Sequence, residues 1–174
     1  MTARNLPVVF DVNVLVTVLK SSDHTFRVPK SWPVVPPVST NPAADCIGVI
    51  NDGGGFALWL SPHIIDNTVR VLEEVFGIAK TTADDYALLL QDFADASGGG
   101  VVDPDPKVSD CKDWEDNRIL DLAAEVEALA IVSNDTDLLS MNPWRNRVIM
   151  TPAKFAAMVD GQRRAAQRHQ KRRR

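Results

Sequence analysis

The sequence is poor in the features that mark membrane proteins and disulfide-stabilised secreted domains. No apolar run in its 174 residues reaches the roughly 18 residues that a membrane span requires. The two cysteines, Cys46 and Cys111, are far apart and form no CxxC pair, so we expect reduced thiols in a cytoplasmic protein. The N-terminal segment carries one arginine and leads directly into an apolar run, which is not the pattern of a signal peptide.

Phosphate-binding glycine loops are also missing. Neither glycine run, at residues 53–55 and 98–100, is followed by Lys and Ser/Thr, and neither opens the first predicted strand-to-helix turn. The composition is 45% hydrophobic and 24% charged, which is typical of a globular protein that buries a core. The length and composition predict one ordinary domain, which we place at residues 1–160.

Apolar runs and helix-start signals alternate along this domain. An Asn, Ser or Thr followed by Pro begins three predicted helices, with caps at Asn41, Ser61 and Thr151. The alternation predicts an α/β fold, with a parallel sheet covered by helices on both faces. The predicted strands are Leu6–Phe10, Phe56–Leu60, Val101–Asp103, Ala130–Ser133 and Arg147–Met150.

Two segments differ from the rest of the chain. Residues 21–40 contain four prolines and are predicted to be an extended surface loop inserted in the domain. Residues 161–174 form a basic tail that holds seven of the 19 Lys and Arg residues and no acid, although the whole chain has a net charge of −4. We expect this tail to be disordered and either merely solvated or an electrostatic arm for RNA. Its basic residues are Arg163, Arg164, Arg168, Lys171, Arg172, Arg173 and Arg174.

Several aspartates are predicted to meet at one edge of the sheet. Asp11 follows the first strand, and Asp135 and Asp137 follow the fourth, where ligands bind in open parallel sheets. Asp116 opens the preceding helix, and a long connection can carry that helix start over the same edge. Clustered carboxylates need a counter-ion, and oxygen donors suit Mg²⁺ or Mn²⁺. Such a site implies metal-assisted hydrolysis of a phosphodiester.

Structural explanations remain open for each of these acids. Asp11 could cap the first helix, Asp116 resembles part of a capping box with Asp113, and the other two could be turn residues. A haloacid-dehalogenase-like phosphohydrolase would also place an Asp after the first strand. That chemistry needs a second acid two residues later, where this chain has Asn13.

The sequence resembles PIN-domain proteins, and within that family the VapC-like toxin ribonucleases and related PIN nucleases. The segments that carry the resemblance are "VVFDVNVLVTVL", "LSPHIIDNTVRVL" and "WEDNRILDLAAEVEALAIVSNDTDLLSM". It extends from about Leu6 to Val159, apart from the insert. It implies a PIN-like three-layer fold and a Mg²⁺- or Mn²⁺-dependent endoribonuclease, acting as the toxin of a toxin–antitoxin pair. Its implied partners are RNA, a small antitoxin protein and possible second copies of the chain.

The resemblance also implies roles for individual residues. Asp11, Asp116 and Asp135 match the catalytic acids of the family, and together with Asp137 they would bind the metal. Supporting roles fall to Asn13, Asp66, Asn67 and Ser133.

One position departs from the family pattern. Asn67 lies five residues before Leu72, where the family usually has Glu, and an amide offers an oxygen without a charge. Asp66 precedes it but points about 100° away on a helix, and His63 is expected to be an ordinary helix-start residue. A catalytically weakened RNA-binding module is therefore a second hypothesis. The tryptophans form no stacking stripe and are expected to pack in the core or at its edges: Trp32, Trp59, Trp114 and Trp144.

Overall fold

A parallel sheet lies at the centre of the computed structural model, which describes residues 5–20, 41–51 and 55–172. The five strands run in the order β3-β2-β1-β4-β5, and every neighbouring pair is parallel. The predicted insert at residues 21–40 lies outside the described residues. The strands are β1 (Leu6–Phe10), β2 (Phe56–Leu60), β3 (Gly100–Val101), β4 (Ala130–Val132) and β5 (Val148–Met150).

Helices connect and follow these strands. The crossovers from β1 to β2 and from β2 to β3 move along the sheet in one direction, and those leading to β4 and β5 move in the other. Right-handed crossovers therefore place the first four helices on one face and α5 on the other, which confirms the three-layer α/β prediction. The helices are α1 (Val12–Lys20), α2 (Pro42–Asn51), α3 (Pro62–Glu74), α4 (Lys80–Ala96), α5 (Trp114–Glu125), α6 (Thr136–Ser140) and α7 (Pro152–Arg172).

The central strand β1 organises the core. Val8, Val9 and Phe10 are completely buried, as expected for a parallel strand that is covered on both faces. Phe155 of α7 packs edge-on against Phe10 and against Phe56 of β2, with ring centroids 5.6 and 5.2 Å apart. Since α7 also packs against α2, the last helix closes the same side of the sheet as α2.

The predicted helix starts are confirmed by their capping bonds. Ala44 donates its backbone N–H to the side chain of Asn41 at 3.3 Å, and Ile64 donates to Ser61 at the same distance. The hydroxyl of Thr151 accepts a third such bond, at the start of α7. In each case the following proline occupies the first helical position, where its missing N–H costs nothing.

Two sequence-based expectations need correction. The third strand begins at Gly100 rather than residue 101, and a side chain at the preceding Gly99 would collide with the carbonyl oxygen of Leu58. Residues 161–172 continue α7 instead of being disordered, since Ala, Gln, Lys and Arg favour helix and positive charge suits a helix C-terminus. Within the described residues, no helix is long and apolar enough to cross a membrane.

Candidate active site

Asp11 lies at the carboxyl end of β1, at the edge where the sequence analysis placed a site. Its backbone N–H continues the sheet by donating to the carbonyl of Val132 at 2.9 Å. Its side chain is 7% exposed, and its Oδ2 accepts hydrogen bonds from Ser133 Oγ at 2.6 Å and Asn13 Nδ2 at 2.7 Å. Two donors on one oxygen fix the orientation of the carboxylate.

The same two donors join the ends of β1 and β4. Ser133 is completely buried, and its Oγ accepts the backbone N–H of Asp135 at 2.8 Å while donating to Asp11. The Asn13 side chain accepts the N–H of Asn134 at 3.1 Å. These hydrogen bonds thus connect the ends of two neighbouring parallel strands, and they hold the two predicted acids that follow those strands, Asp11 and Asp135.

Replacement of Ser133 by alanine should destabilise the protein by about 1–3 kcal/mol, because the half-buried N–H of Asp135 and the buried carboxylate of Asp11 would each lose a partner. Urea unfolding of Ser133→Ala measures this difference. Ser140→Ala removes an exposed hydroxyl that donates to Asp137 at 2.7 Å, and as a control it should change stability by less than about 0.5 kcal/mol. Equal stability of the two variants would show that the Ser133 bridge does not hold the site.

Asp116 reaches the cleft because the segment before α5 folds back on that helix. The side chain of Asn117 accepts the N–H of Cys111 at 2.9 Å and donates to its carbonyl at 2.8 Å. Asp113 caps the helix by accepting the N–H of Glu115 at 2.8 Å. The capping role thus belongs to Asp113, and Asp116 accepts a hydrogen bond from the Cys111 thiol at 3.3 Å.

Asp135 and Asp137 have different positions. Asp135 caps α6 by accepting the N–H groups of Asp137 at 2.7 Å and Leu138 at 3.3 Å. Its side chain is half-buried and lines the cleft, whereas Asp137 is exposed and is not among the cleft-lining residues. Of the four predicted metal ligands, Asp11, Asp116 and Asp135 therefore share one cavity.

That cavity is a cleft of about 390 Å³ between α1, α3 and α5. Burial raises the pKa of Asp116 to about 6, and the charges of Asp135 and Asp11 add to the rise. Burial also raises the pKa of Asp11, against the effect of its hydrogen bonds. The cleft therefore holds several carboxylates without a Lys or Arg side chain among the described residues that line it. It is lined by Asp11, Val12, Asn13, Val16, Thr17, His63, Asn67, Val71, Phe76, Asp113, Glu115, Asp116, Ile119 and Asp135.

The donor chemistry of this cleft fits a hard divalent cation. Within the described ranges, no three Asp, Glu, His or Cys side chains are close enough together to enclose a metal ion. Mg²⁺ does not need such a cage, because it retains several waters and binds through one or two carboxylates. Five carboxylates line the cleft, but Asp113 caps α5 and Glu115 pairs with Arg70, which leaves Asp11, Asp116 and Asp135 as the candidate ligands.

The α3 wall of the cleft carries a polar chain in place of an acid. Asn67 Nδ2 lies 3.0 Å from His63 Nε2, and its Oδ1 accepts two bonds from Arg70 at 3.2 Å each. Arg70 also reaches Glu115 on α5 at 3.4 Å. Burial lowers the pKa of His63. Asp66 is exposed and lines a separate groove between α3 and α4, so it does not replace the missing carboxylate.

Sequence reasoning missed two neighbours of this site. The thiol of Cys111 contacts Asp116, but nothing in the sequence pattern distinguishes this cysteine. Trp114 was expected to pack in the core or at an edge, yet 61% of it is exposed. Its position inside the polar run "KDWEDNR" is a signal that could have indicated exposure.

The basic residues of the tail up to Arg172 lie on the exposed end of α7. None of these described residues lines the cleft. Arg164 forms an ion pair with Asp160 at 2.8 Å. Arg173 and Arg174 lie outside the described residues.

The chain also matches the sequence model of a known protein family. The sequence model of the PIN domain matches residues 7–137, a range that includes Asp11, Asp116 and Asp135. No curated protein matches the chain.

Proposed function

The chain belongs to the PIN-domain family, whose fold is a nuclease fold, and we propose that it is a Mg²⁺- or Mn²⁺-dependent endoribonuclease. The observation that carries this proposal is the presence of Asp11, Asp116 and Asp135 in one cleft at the carboxyl edge of the sheet. Burial, and to a smaller extent the charges of the neighbouring Asp135 and Asp11, raise the pKa of Asp116.

Each residue has a distinct part in this proposal. Asp11, Asp116 and Asp135 would hold the metal, which when bound supplies a polarised phosphoryl oxygen and a water of lowered pKa. Ser133 and Asn13 orient Asp11 through their hydrogen bonds. Asp11 is buried, and a low-dielectric surrounding would strengthen its attraction for a cation.

RNA is the proposed substrate, and the basic residues of α7 are its proposed electrostatic contacts. The body of the protein is acidic, and so positive charge elsewhere is needed to offset its repulsion of phosphate. In this proposal the affinity for RNA decreases as ionic strength rises, because the counterions that the basic tail displaces from the RNA gain less entropy when they enter a more concentrated salt solution.

The resemblance to VapC-like toxins supports a more specific biological role. We propose that the protein acts in the cytoplasm as the toxin of a toxin–antitoxin pair, with a small antitoxin protein as partner. Two experiments test this role. The first is co-purification of the chain with the product of an adjacent small gene, and the second is growth of cells that express the chain alone or together with that product. Growth arrest on expression of the chain alone, relieved by that product, is the expected result, and unrestricted growth would contradict it.

The direct test of the enzymatic proposal is cleavage of a mixed RNA pool. Cleavage is expected with Mn²⁺ or Mg²⁺ and should stop when EDTA removes the metal. Metal-independent cleavage would overturn the proposed chemistry.

One observation favours a second candidate function, a PIN-like module that binds RNA without cleaving it. Asn67 leaves the α3 wall without the carboxylate that the family usually has there. Calorimetric titration with Mn²⁺ separates the candidates, because a binding module would show no metal uptake at millimolar Mn²⁺, whereas the nuclease would.

Stability of the protein should depend on pH and metal together. Asp116 has a pKa of about 6 in the folded, metal-free protein and about 3.9 in an unfolded chain. The folded state therefore binds more protons between these values, and its stability should fall as pH rises from about 4 to about 6. A bound cation favours the ionised form, so Mn²⁺ should stabilise the protein more at pH 7.5 than at pH 5.

Thermal unfolding with and without Mn²⁺ at the two pH values measures this linkage. At a concentration 100 times Kd the cation should add about 2.7 kcal/mol, or about 5–10 °C in Tm, at pH 7.5. Asp116→Asn is the matched control and should reduce both the metal effect and its pH dependence. A Tm increase that is equal at pH 5 and pH 7.5 would contradict the prediction.

A further inference from the structure

A large aromatic side chain remains open to solvent at the rim of the cleft. Trp114 is the first residue of α5, two positions before Asp116, and 61% of it is exposed. Full burial of a large apolar side chain contributes about 1.5–3 kcal/mol to folding. Because Trp114 is mostly exposed, it gains little of this folding free energy. Packing of the core therefore does not explain its location.

The ring of Trp114 is held by its neighbours. The imidazole of His63 meets it edge-to-face, with centroids 5.2 Å apart and planes at 89°. The guanidinium carbon of Arg118 lies 5.5 Å from the ring centroid, and Arg118 is itself paired with the buried Asp121. Because His63 also lines the cleft, these rings extend the cleft wall outward to the surface.

The two arginines beside this aromatic rim are already paired. Arg70 contacts Glu115 at 3.4 Å and Glu74 at 3.6 Å, and Arg118 contacts Asp121. These two guanidinium groups therefore offer little free positive charge with which to attract phosphate. What it offers is an ordered, exposed aromatic surface.

We propose that Trp114, held by His63, is a stacking platform for an unpaired base of single-stranded RNA. This inference rests on the proposed function, because the base would belong to a nucleotide beside the phosphodiester bound in the cleft. Every base has a π-face, so such stacking tolerates any sequence. Bases inside an RNA duplex are stacked on each other and are unavailable, which limits the substrate class to single strands, loops and ends.

The test is fluorescence anisotropy with a short, labelled single-stranded oligoribonucleotide in Ca²⁺, with gel analysis to verify that the RNA stays intact. Trp114→Leu keeps an apolar side chain without the aromatic face and should weaken binding about fivefold or more. Trp114→Phe should restore most of the affinity. Leu88→Ala, a change at a 60% exposed apolar residue of α4 outside the cleft, should leave the affinity unchanged.

Two further measurements separate stacking from other effects. The ratio of the affinities of wild type and Trp114→Leu should be the same at low and high salt, since the rim contributes stacking rather than charge. A duplex of the same sequence should bind wild type and Trp114→Leu equally. Unchanged affinity of Trp114→Leu for the single strand, or an equal loss for the duplex, would overturn the platform.

The results distinguish this inference from the proposed function. If RNA is cleaved but Trp114→Leu binds the single strand as well as wild type, the platform is wrong and the nuclease proposal stands. If the single strand binds in a Trp114-dependent way but no metal supports cleavage, the platform stands and the nuclease proposal fails.

Discussion

Asp11→Asn should lower Mn²⁺-dependent RNA cleavage by about a thousandfold or more, because a charged ligand is lost where the metal would stabilise the transition state by several kcal/mol. The substitution is nearly isosteric, and the remaining carbonyl oxygen can still accept the hydroxyl of Ser133. Single-turnover cleavage at saturating RNA measures the loss.

The same variant should not unfold the protein. Burial raises the pKa of Asp11, so the ionised carboxylate is less favourable in the folded protein than in the unfolded chain. Asp11→Asn should therefore be about as stable as wild type in EDTA and should lose most of the stabilisation by Mn²⁺.

Asp66→Asn is the matched control for Asp11→Asn. It makes the same chemical change on an exposed residue of α3 that faces a different groove. It should retain cleavage within about twofold. An active Asp11→Asn enzyme, or an equal loss in both variants, would exclude Asp11 as a metal ligand.

The convergence of the acids was predictable because it follows from topology. Parallel strands end at one edge, so Asp11 after β1 and Asp135 after β4 were expected to be neighbours, and β1 and β4 are adjacent in the sheet. Asp116 follows the same rule, because a helix that connects parallel strands begins at the carboxyl edge, where the preceding strand ends. The long connection after β3 leaves the exact position of that helix start open in the sequence, and the hydrogen bonds between Cys111 and Asn117 fix it in the structure.

Other parts of the site could not be read from residue types alone. Asp135 and Asp137 are two residues apart in one turn, yet only Asp135 lines the cleft, because it caps α6 and Asp137 follows on its exposed side. The exposure of Trp114 was also missed, because an aromatic residue in an amphipathic helix is usually buried. The basic end of α7 was predicted to be disordered, yet it is helical as far as Arg172. A high content of Lys and Arg therefore indicates exposure to solvent but does not exclude a helix.

Asn67→Glu should strengthen Mn²⁺ binding by about tenfold, or about 1.4 kcal/mol, since it adds a carboxylate to the side of the cleft that has none. Asn67 lines the cleft from α3, opposite Asp116 on α5, so a longer acidic side chain there reaches the same space. Isothermal titration with Mn²⁺ measures the change. Asn67→Gln has the same length without the charge and should leave the affinity near that of wild type.

Arg70 limits the size of this gain. Its guanidinium now donates two hydrogen bonds to the Asn67 oxygen, and it would hold a carboxylate at that position more strongly. Combining Asn67→Glu with Arg70→Ala should therefore increase the Mn²⁺ affinity further, although Arg70→Ala alone should change it little. If Asn67→Glu and Asn67→Gln bind Mn²⁺ equally, position 67 is not part of the metal site.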